Sequence, residues 1–218
     1  GDKVFSECKG LTSVVIGEGA QVGEDGFAYC ESLKSLVIGE GAKVGDWGFA
    51  GCTGLTSFVI GEGAEIGERG FRNCTGLTSL VIGKGAQVGD EGFAGCRDLK
   101  FIITDNPEIK NDREHYSIGK DVRIIGSAEL KKMLGITIDE FFQFSVETQQ
   151  CVIDFMGQEA FFNFVKQGVP IDKATLKQQF GGFIKSEQEF QFNKRFNSMR
   201  CASKAMYRVF YRYISQNS

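Results

Sequence analysis

The sequence holds only 2 Pro, 1 His and 1 Trp in 218 residues, and its apolar residues come in short runs. No run approaches the roughly 18–20 residues that a membrane-spanning helix needs. The formal charge of −3 and a pI near 5.4 exclude a chain that grips nucleic acid through overall basicity. The lone histidine, His115, sits in a charged loop with no serine or cysteine in phase with it, which argues against a histidine-activated nucleophile. Walker, Rossmann and HExxH patterns are missing. No C-x-x-C pair or close Cys/His spacing offers a zinc site, so neither cofactor nor metal is expected. At 42% hydrophobic and 24% charged residues the composition is that of a folded soluble domain, or two small ones.

What the chain does have is glycine and phenylalanine, unevenly placed. Residues 1–104 carry 22 of the 29 Gly, with 9 Lys/Arg against 14 Asp/Glu, a net of −5. Residues 105–218 carry 13 of the 20 Phe and both Pro, with 16 Lys/Arg against 14 Asp/Glu, a net of +2. Two differently built parts are implied, 1–126 and 127–218.

The first part is a repeat. Phe5, Phe27, Phe49, Phe71 and Phe93 are 22 apart, and so are Cys8, Cys30, Cys52, Cys74 and Cys96, and Leu11, Leu33, Leu55, Leu77 and Leu99. Each unit carries one run of β-formers, such as Leu80 to Ile82, closed by a G-x-G turn; a short A-x-V or A-x-I segment and a second glycine-bounded turn follow. One such unit cannot bury its own apolar face, so it must stack on its neighbours as a coil of a solenoid. The many G-x-G pairs are then repeat turns and not phosphate loops, having no helix and lysine at phosphate spacing.

The pattern L-x-x-L-x-I after a cysteine, with F-x-x-C ahead of the leucine and I-G-x-G-A behind the strand, resembles the BspA-type leucine-rich repeat over residues 4 to about 104. The resemblance implies a right-handed β-solenoid and a role in protein recognition. After Leu99 to Thr104 the unit degenerates: Asp105-Asn-Pro107 reads as a turn, and 99–126 as a last, stretched coil. The chain opens almost directly on the Phe5 column with no amphipathic cap, so a longer parent protein is expected and the lack of a signal peptide is uninformative.

Seven cysteines, five in one column, read as buried free thiols packing beside the leucines, because pairing between coils would leave one over. Reduced thiols favour an intracellular or anaerobic setting. The location expected is secreted, either at a cell surface or delivered into a host cell as an effector.

Alternation along Leu11 to Ile16 points Leu11, Val14 and Ile16 inward and Ser13 and Val15 outward. Stacked, the outward positions form a serine column and an aliphatic column, Val15, Val37, Val59, Val81 and Ile103. An open aliphatic stripe is a binding surface or a seat for the second domain. The variable columns offer another surface: Asp25, Trp47, Arg69, Glu91 in one, Ala28, Ala50, Arg72, Ala94 in a second, Tyr29, Gly51, Asn73, Gly95 in a third. Trp, Tyr and Arg are enriched at interface hot spots, so Trp47 with Arg69, Arg72 and Tyr29 is the first candidate patch. The expected partner is a protein, with neither nucleic acid nor small-molecule substrate.

From Ser127 the period becomes helical. Ser127 to Leu130 opens a short helix with a capping serine, and Thr137 to Glu140 is a capping-box pattern ahead of Phe141 and Phe142. Helix signals run on to the end, the longest from about Ser186 to Ile214, so an all-α domain over 127–218 is expected. There Arg200, Lys204, Arg208 and Arg212 form a basic ridge that could meet an anionic membrane, an acidic protein or the solenoid's own acidic surface. Cys151 with Asp154 is the one pair similar to the cysteine chemistry of bacterial ubiquitin ligases that carry leucine-rich repeats, though the spacing departs from that family's and a core cysteine is expected. The leading expectation is a non-enzymatic interaction module; a thiol ligase and a membrane adaptor are the alternatives.

Overall fold

The computed structural model describes residues 1–134 and 137–142. The chain divides into two compact units, residues 1–127 and 128–218.

The first unit is a parallel β-solenoid. Each coil gives one strand to a six-stranded sheet: β1 (Ser13–Ile16), β3 (Ser35–Ile38), β5 (Ser57–Ile60), β7 (Ser79–Ile82), β9 (Phe101–Ile103) and β10 (Arg123–Ile125). The pairing is in register with the repeat, Ser13 against Ser35, Ser35 against Ser57 and Ser57 against Ser79, so residues 22 apart become neighbours. The A-x-V segments are strands too: β2 (Gln21–Val22), β4 (Lys43–Val44), β6 (Glu65–Ile66) and β8 (Gln87–Val88) make a second, four-stranded sheet. Coils approach closely where the glycines require it. A Cβ on Gly61 would lie 2.6 Å from the carbonyl carbon of Gly39.

Between these sheets and the turn side lies the core, built from the repeated columns. The Phe5, Phe27, Phe49, Phe71 and Phe93 rings form one stack, with centroids 5.0, 5.1, 5.6 and 6.0 Å apart. Phe58 stands where the neighbouring coils have Leu36 and Leu80, and its ring lies 4.2 Å from that of Phe71. The leucines, and Val14, Leu36, Ile38, Ile60 and Ile82, complete the interior. The cysteine column is the ladder of free thiols expected of it. Four of its five thiols donate to the carbonyl of a phenylalanine in the preceding coil: Cys30 to Phe5 at 3.1 Å, Cys52 to Phe27 at 3.3 Å, Cys74 to Phe49 at 3.3 Å and Cys96 to Phe71 at 3.2 Å. Burial pushes the Cys30 thiol up and that of Cys52 up to about 12. The adjoining Cys96 thiol, and burial after it, push Cys74 up as well. At neutral pH such groups are inert small hydrophobes.

The stretched last coil departs from the expected turn at Asp105 to Pro107. A one-turn helix, α1 (Pro107–Asn111), stands there, with Pro107 at its start and buried Ile109 in the core. Asn106 caps it, accepting from the Glu108 amide at 3.0 Å while its own Nδ2 donates to the Ala86 carbonyl at 2.7 Å. The cap thus ties the irregular coil to the regular one before it.

The helix α2 (Ser127–Leu134) begins where the last coil ends. Asp105 accepts from the Ser127 amide at 2.9 Å. In the second unit α3 (Ile138–Phe142) opens on the expected capping box: Glu140 donates its amide to the Thr137 hydroxyl at 3.1 Å, and Thr137 donates its amide to the Glu140 carboxylate at 2.9 Å. Leu130, Ile138 and Phe141 are buried. The helices expected beyond Phe142, the basic ridge Arg200, Lys204, Arg208 and Arg212, and the Cys151–Asp154 pair lie outside the described residues.

Candidate functional site

Two surfaces compete on sequence grounds, and burial separates them. The aliphatic column is open only at its start: Val15 is 61% exposed, whereas Val37, Val59, Val81 and Ile103 are all at 5% or less. Ser57 and Ser79 are buried with them. These side chains stand on the strand face opposite the interior cluster, to which they do not belong, so β5 and β7 are covered on both faces. Val37, Val59 and Val81, expected on an open stripe that binds a partner or seats the second domain, are thus not open to solvent. An apolar groove of about 460 Å³ remains at the first coil, lined by Val4, Phe5, Leu11, Val15, Ala20 and Phe27 among others.

The turn side is built differently. Between each short strand and the next long one the backbone makes successive tight turns, as in Gly48 N–H to Gly45 C=O at 3.2 Å and Ala50 N–H to Trp47 C=O at 2.9 Å. Neighbouring coils are bonded across these turns, Trp47 N–H to the Glu68 carbonyl at 2.9 Å and Gly51 N–H to that of Arg72 at 2.8 Å. This ladder holds two residues per coil in the left-handed region. One series is Lys3, Asp25, Trp47, Arg69 and Glu91, with φ between 52° and 58°; the other includes Glu7, Tyr29, Gly51, Asn73 and Gly95. Two of the three variable columns found in the sequence are thus the left-handed positions; the column of Arg72 is not.

Their side chains interact from coil to coil. Lys3 pairs with Asp25 at 3.4 Å, and the Arg69 Nε donates to Glu91 Oε2 at 2.8 Å. Between these pairs stands Trp47, with the Arg69 guanidinium 5.1 Å and that of Arg72 5.6 Å from its ring centroid, within cation–π range. Arg72 Nη1 donates to the same Glu91 oxygen at 2.5 Å. The hydrogen bond from Arg69 holds the Glu91 carboxyl below its ordinary range, and the same bond raises Arg69 in return. Three of the four residues singled out from sequence, Trp47, Arg69 and Arg72, are therefore one cluster, contributed by two adjacent coils. The fourth, Tyr29, belongs to the other left-handed series; its ring lies over Gly51, so close that a Cβ there would be 2.5 Å from Tyr29 Cδ1. Glu91 is the member that sequence reasoning left out, although it stood in the same column one period beyond Arg69.

The arrangement offers an aromatic surface and hydrogen-bond donors and no reaction centre. Among the described residues no group of three or more His, Cys, Asp or Glu is placed to hold a metal ion. His115 gives its carbonyl to the Glu91 amide, and its ring meets Tyr116 edge-on. Nor is any helix among the described residues long and apolar enough to cross a membrane.

The comparison with protein families decides the kinship. The description "BspA type Leucine rich repeat region" matches residues 1–126 in six copies. The chain belongs to the BspA-type leucine-rich repeat family. Such proteins generally act as protein-interaction modules, and their fold is typically a non-enzymatic scaffold. The six copies equal in number the strands of the long sheet, β1, β3, β5, β7, β9 and β10. Among solved structures the chain is similar to a leucine-rich repeat protein from Bacteroides ovatus, at 28% identity and a TM-score of 0.47 over 56% of this chain and 32% of that one. It is also similar to a T. pallidum leucine-rich repeat protein, at 22% identity and a TM-score of 0.44 over 47% of this chain and 50% of that one. The chain thus spans half or less of the length of either. Comparison with curated proteins found no match.

Proposed function

We propose that this chain is a non-enzymatic protein-binding module whose turn side, centred on Trp47, Arg69 and Arg72, engages a partner protein. One observation carries the reading. A left-handed backbone is cheapest with glycine or asparagine and strained with any bulky residue. The Tyr29 series uses those cheap residues at Gly51, Asn73 and Gly95, beside Glu7 and Tyr29, whereas the Trp47 series has neither and only Asp25 among the tolerant types. Tryptophan at φ 58° is therefore held against backbone preference, only partly buried, with two arginines over its ring. Large side chains kept at strained, partly exposed positions mark functional sites more often than structural ones.

The test is affinity capture from cell extract with the intact chain and with Trp47→Ala, both checked by circular dichroism to be fully folded at the temperature of capture, followed by quantitative mass spectrometry. The reading expects a defined protein retained by the wild type and depleted about tenfold or more with Trp47→Ala, as befits a hot-spot tryptophan. Equal recovery with both chains would remove Trp47 from the interface.

A further inference from the structure

The cluster around Trp47 has more hydrogen-bond donors than acceptors. Arg69 and Arg72 bring two cations and share a single oxygen of a single carboxylate, Glu91 Oε2. Each guanidinium carries five N–H donors and here spends one on that oxygen. Among the described residues the remaining donors find no protein acceptor. The result is a ring-backed patch with guanidinium donors to spare, although Glu68 and Asp90 also act on Arg69 and residues 1–104 carry a formal charge of −5.

We infer that this patch recognises a carboxylate, and specifically that the partner presents an acidic side chain, Asp or Glu, to Arg69 and Arg72 over the Trp47 ring. Planar guanidinium forks match carboxylates in two-point contacts, and an aromatic wall beside them lowers the local dielectric and strengthens the bond. Glu91 already occupies the place of such a group from within. It keeps the two arginines stacked on the ring in the unbound protein, and it competes with the incoming carboxylate. A resident carboxylate of this kind sets affinity by competition, so its removal should tighten binding.

The inference rests on the proposed binding role of this surface, and the experiment separates the two. Trp47 is the only tryptophan in the chain, so selectively excited fluorescence reports on this patch alone. The probe is a short blocked peptide alternating Glu and Ala, set against the same peptide with Gln for Glu. Expected are a saturable change in Trp47 emission, affinity about tenfold weaker for the Gln peptide, and weakening between low and physiological ionic strength. Glu91→Gln, close in shape to the native residue, should bind the Glu peptide severalfold tighter, and Arg72→Gln should lose most of the binding. Equal affinity for the two peptides, no saturable change with either, or weaker binding by Glu91→Gln would overturn the carboxylate inference. If capture of a partner nevertheless depends on Trp47, the binding role stands without it; if capture is indifferent to Trp47, the binding role fails whatever the peptides do.

Discussion

Trp47→Gly is the substitution on which the reading of the turn side is most exposed, because three effects of known sign meet there. Glycine relieves the left-handed strain of a residue at φ 58°, worth about 1–2 kcal/mol in favour of the variant. Its flexible unfolded chain costs about 0.5–1 kcal/mol in the other direction. Loss of the indole removes its contacts with the two guanidinium groups, about 1–2 kcal/mol at a partly buried position. The terms nearly cancel, so Trp47→Gly should change stability by no more than about 1 kcal/mol, while Trp47→Ala, which keeps the strain, should be the less stable of the two by about 1 kcal/mol. Urea unfolding of wild type and both variants, followed by far-ultraviolet circular dichroism, gives the comparison directly. Partner capture should be lost in both. If Trp47→Gly proves more than about 2 kcal/mol less stable than wild type, or less stable than Trp47→Ala, the tryptophan is a packing residue and its strained placement has a structural origin.

Further outcomes follow from the core and the ion pair. Cys52→Ser should destabilise by about 1–3 kcal/mol in the same assay, because the shorter C–O bond draws the hydroxyl away from a Phe27 carbonyl that the thiol reaches at 3.3 Å. Iodoacetamide at neutral pH should leave Cys30, Cys52 and Cys74 unmodified in the native chain and label them after denaturation; partly exposed Cys8 and Cys96 should react first, as peptide mass spectrometry would show. Gly61→Ala forces a methyl against the Gly39 backbone and should cost about 1–3 kcal/mol in urea, whereas Gly63→Ala, in open space at φ 61°, should cost only about 1 kcal/mol. Because Glu91 is held below its ordinary value of 4.5, the order it gives the arginines is present above that pH and lost as pH falls below it; Trp47 emission should titrate with a midpoint under 4.5, and Arg69→Gln should move that midpoint upward.

The regular coils were legible because a solenoid converts sequence period into spatial adjacency. Once 22 is known, Lys3 with Asp25, Lys43 with Glu65 and Arg69 with Glu91 are neighbours by arithmetic, and all three are ion pairs. The cysteine and phenylalanine ladders follow in the same way. What period alone hides is the diagonal. Arg72 reaches Glu91 across 19 residues, and the thiols reach carbonyls 25 residues back, since these contacts depend on how far the turn carries the chain across the coil. The fate of Val37, Val59 and Val81 was hidden for another reason: alternation fixes which face a side chain takes and says nothing of what covers that face. The helix α1 was missed because Pro107 reads equally as a turn residue and as the first residue of a helix, and only the Asn106 cap distinguishes the two.

The left-handed ladder also explains how this fold can carry a variable surface at constant architecture. Its geometry is imposed by backbone bonds between coils, Asp25 N–H to Asp46 C=O at 2.9 Å, Trp47 to Glu68 at 2.9 Å and Arg69 to Asp90 at 2.8 Å, none of which involves a side chain. The strain is therefore a fixed property of the position, much the same for Asp25, Trp47, Arg69 or Glu91, and exchanging one for another leaves the coil-to-coil bonds in place. Successive side chains in such a column stand about one coil apart, a spacing the stacked Phe27 and Phe49 rings put near 5.1 Å. That distance is short enough for ion pairs and cation–π contacts between neighbouring coils, so the variable residues organise one another without help from the core. Trp47, Arg69 and Glu91 are the outcome here: a patch three coils long, assembled from residues 22 apart in sequence, whose chemistry can be rewritten one coil at a time.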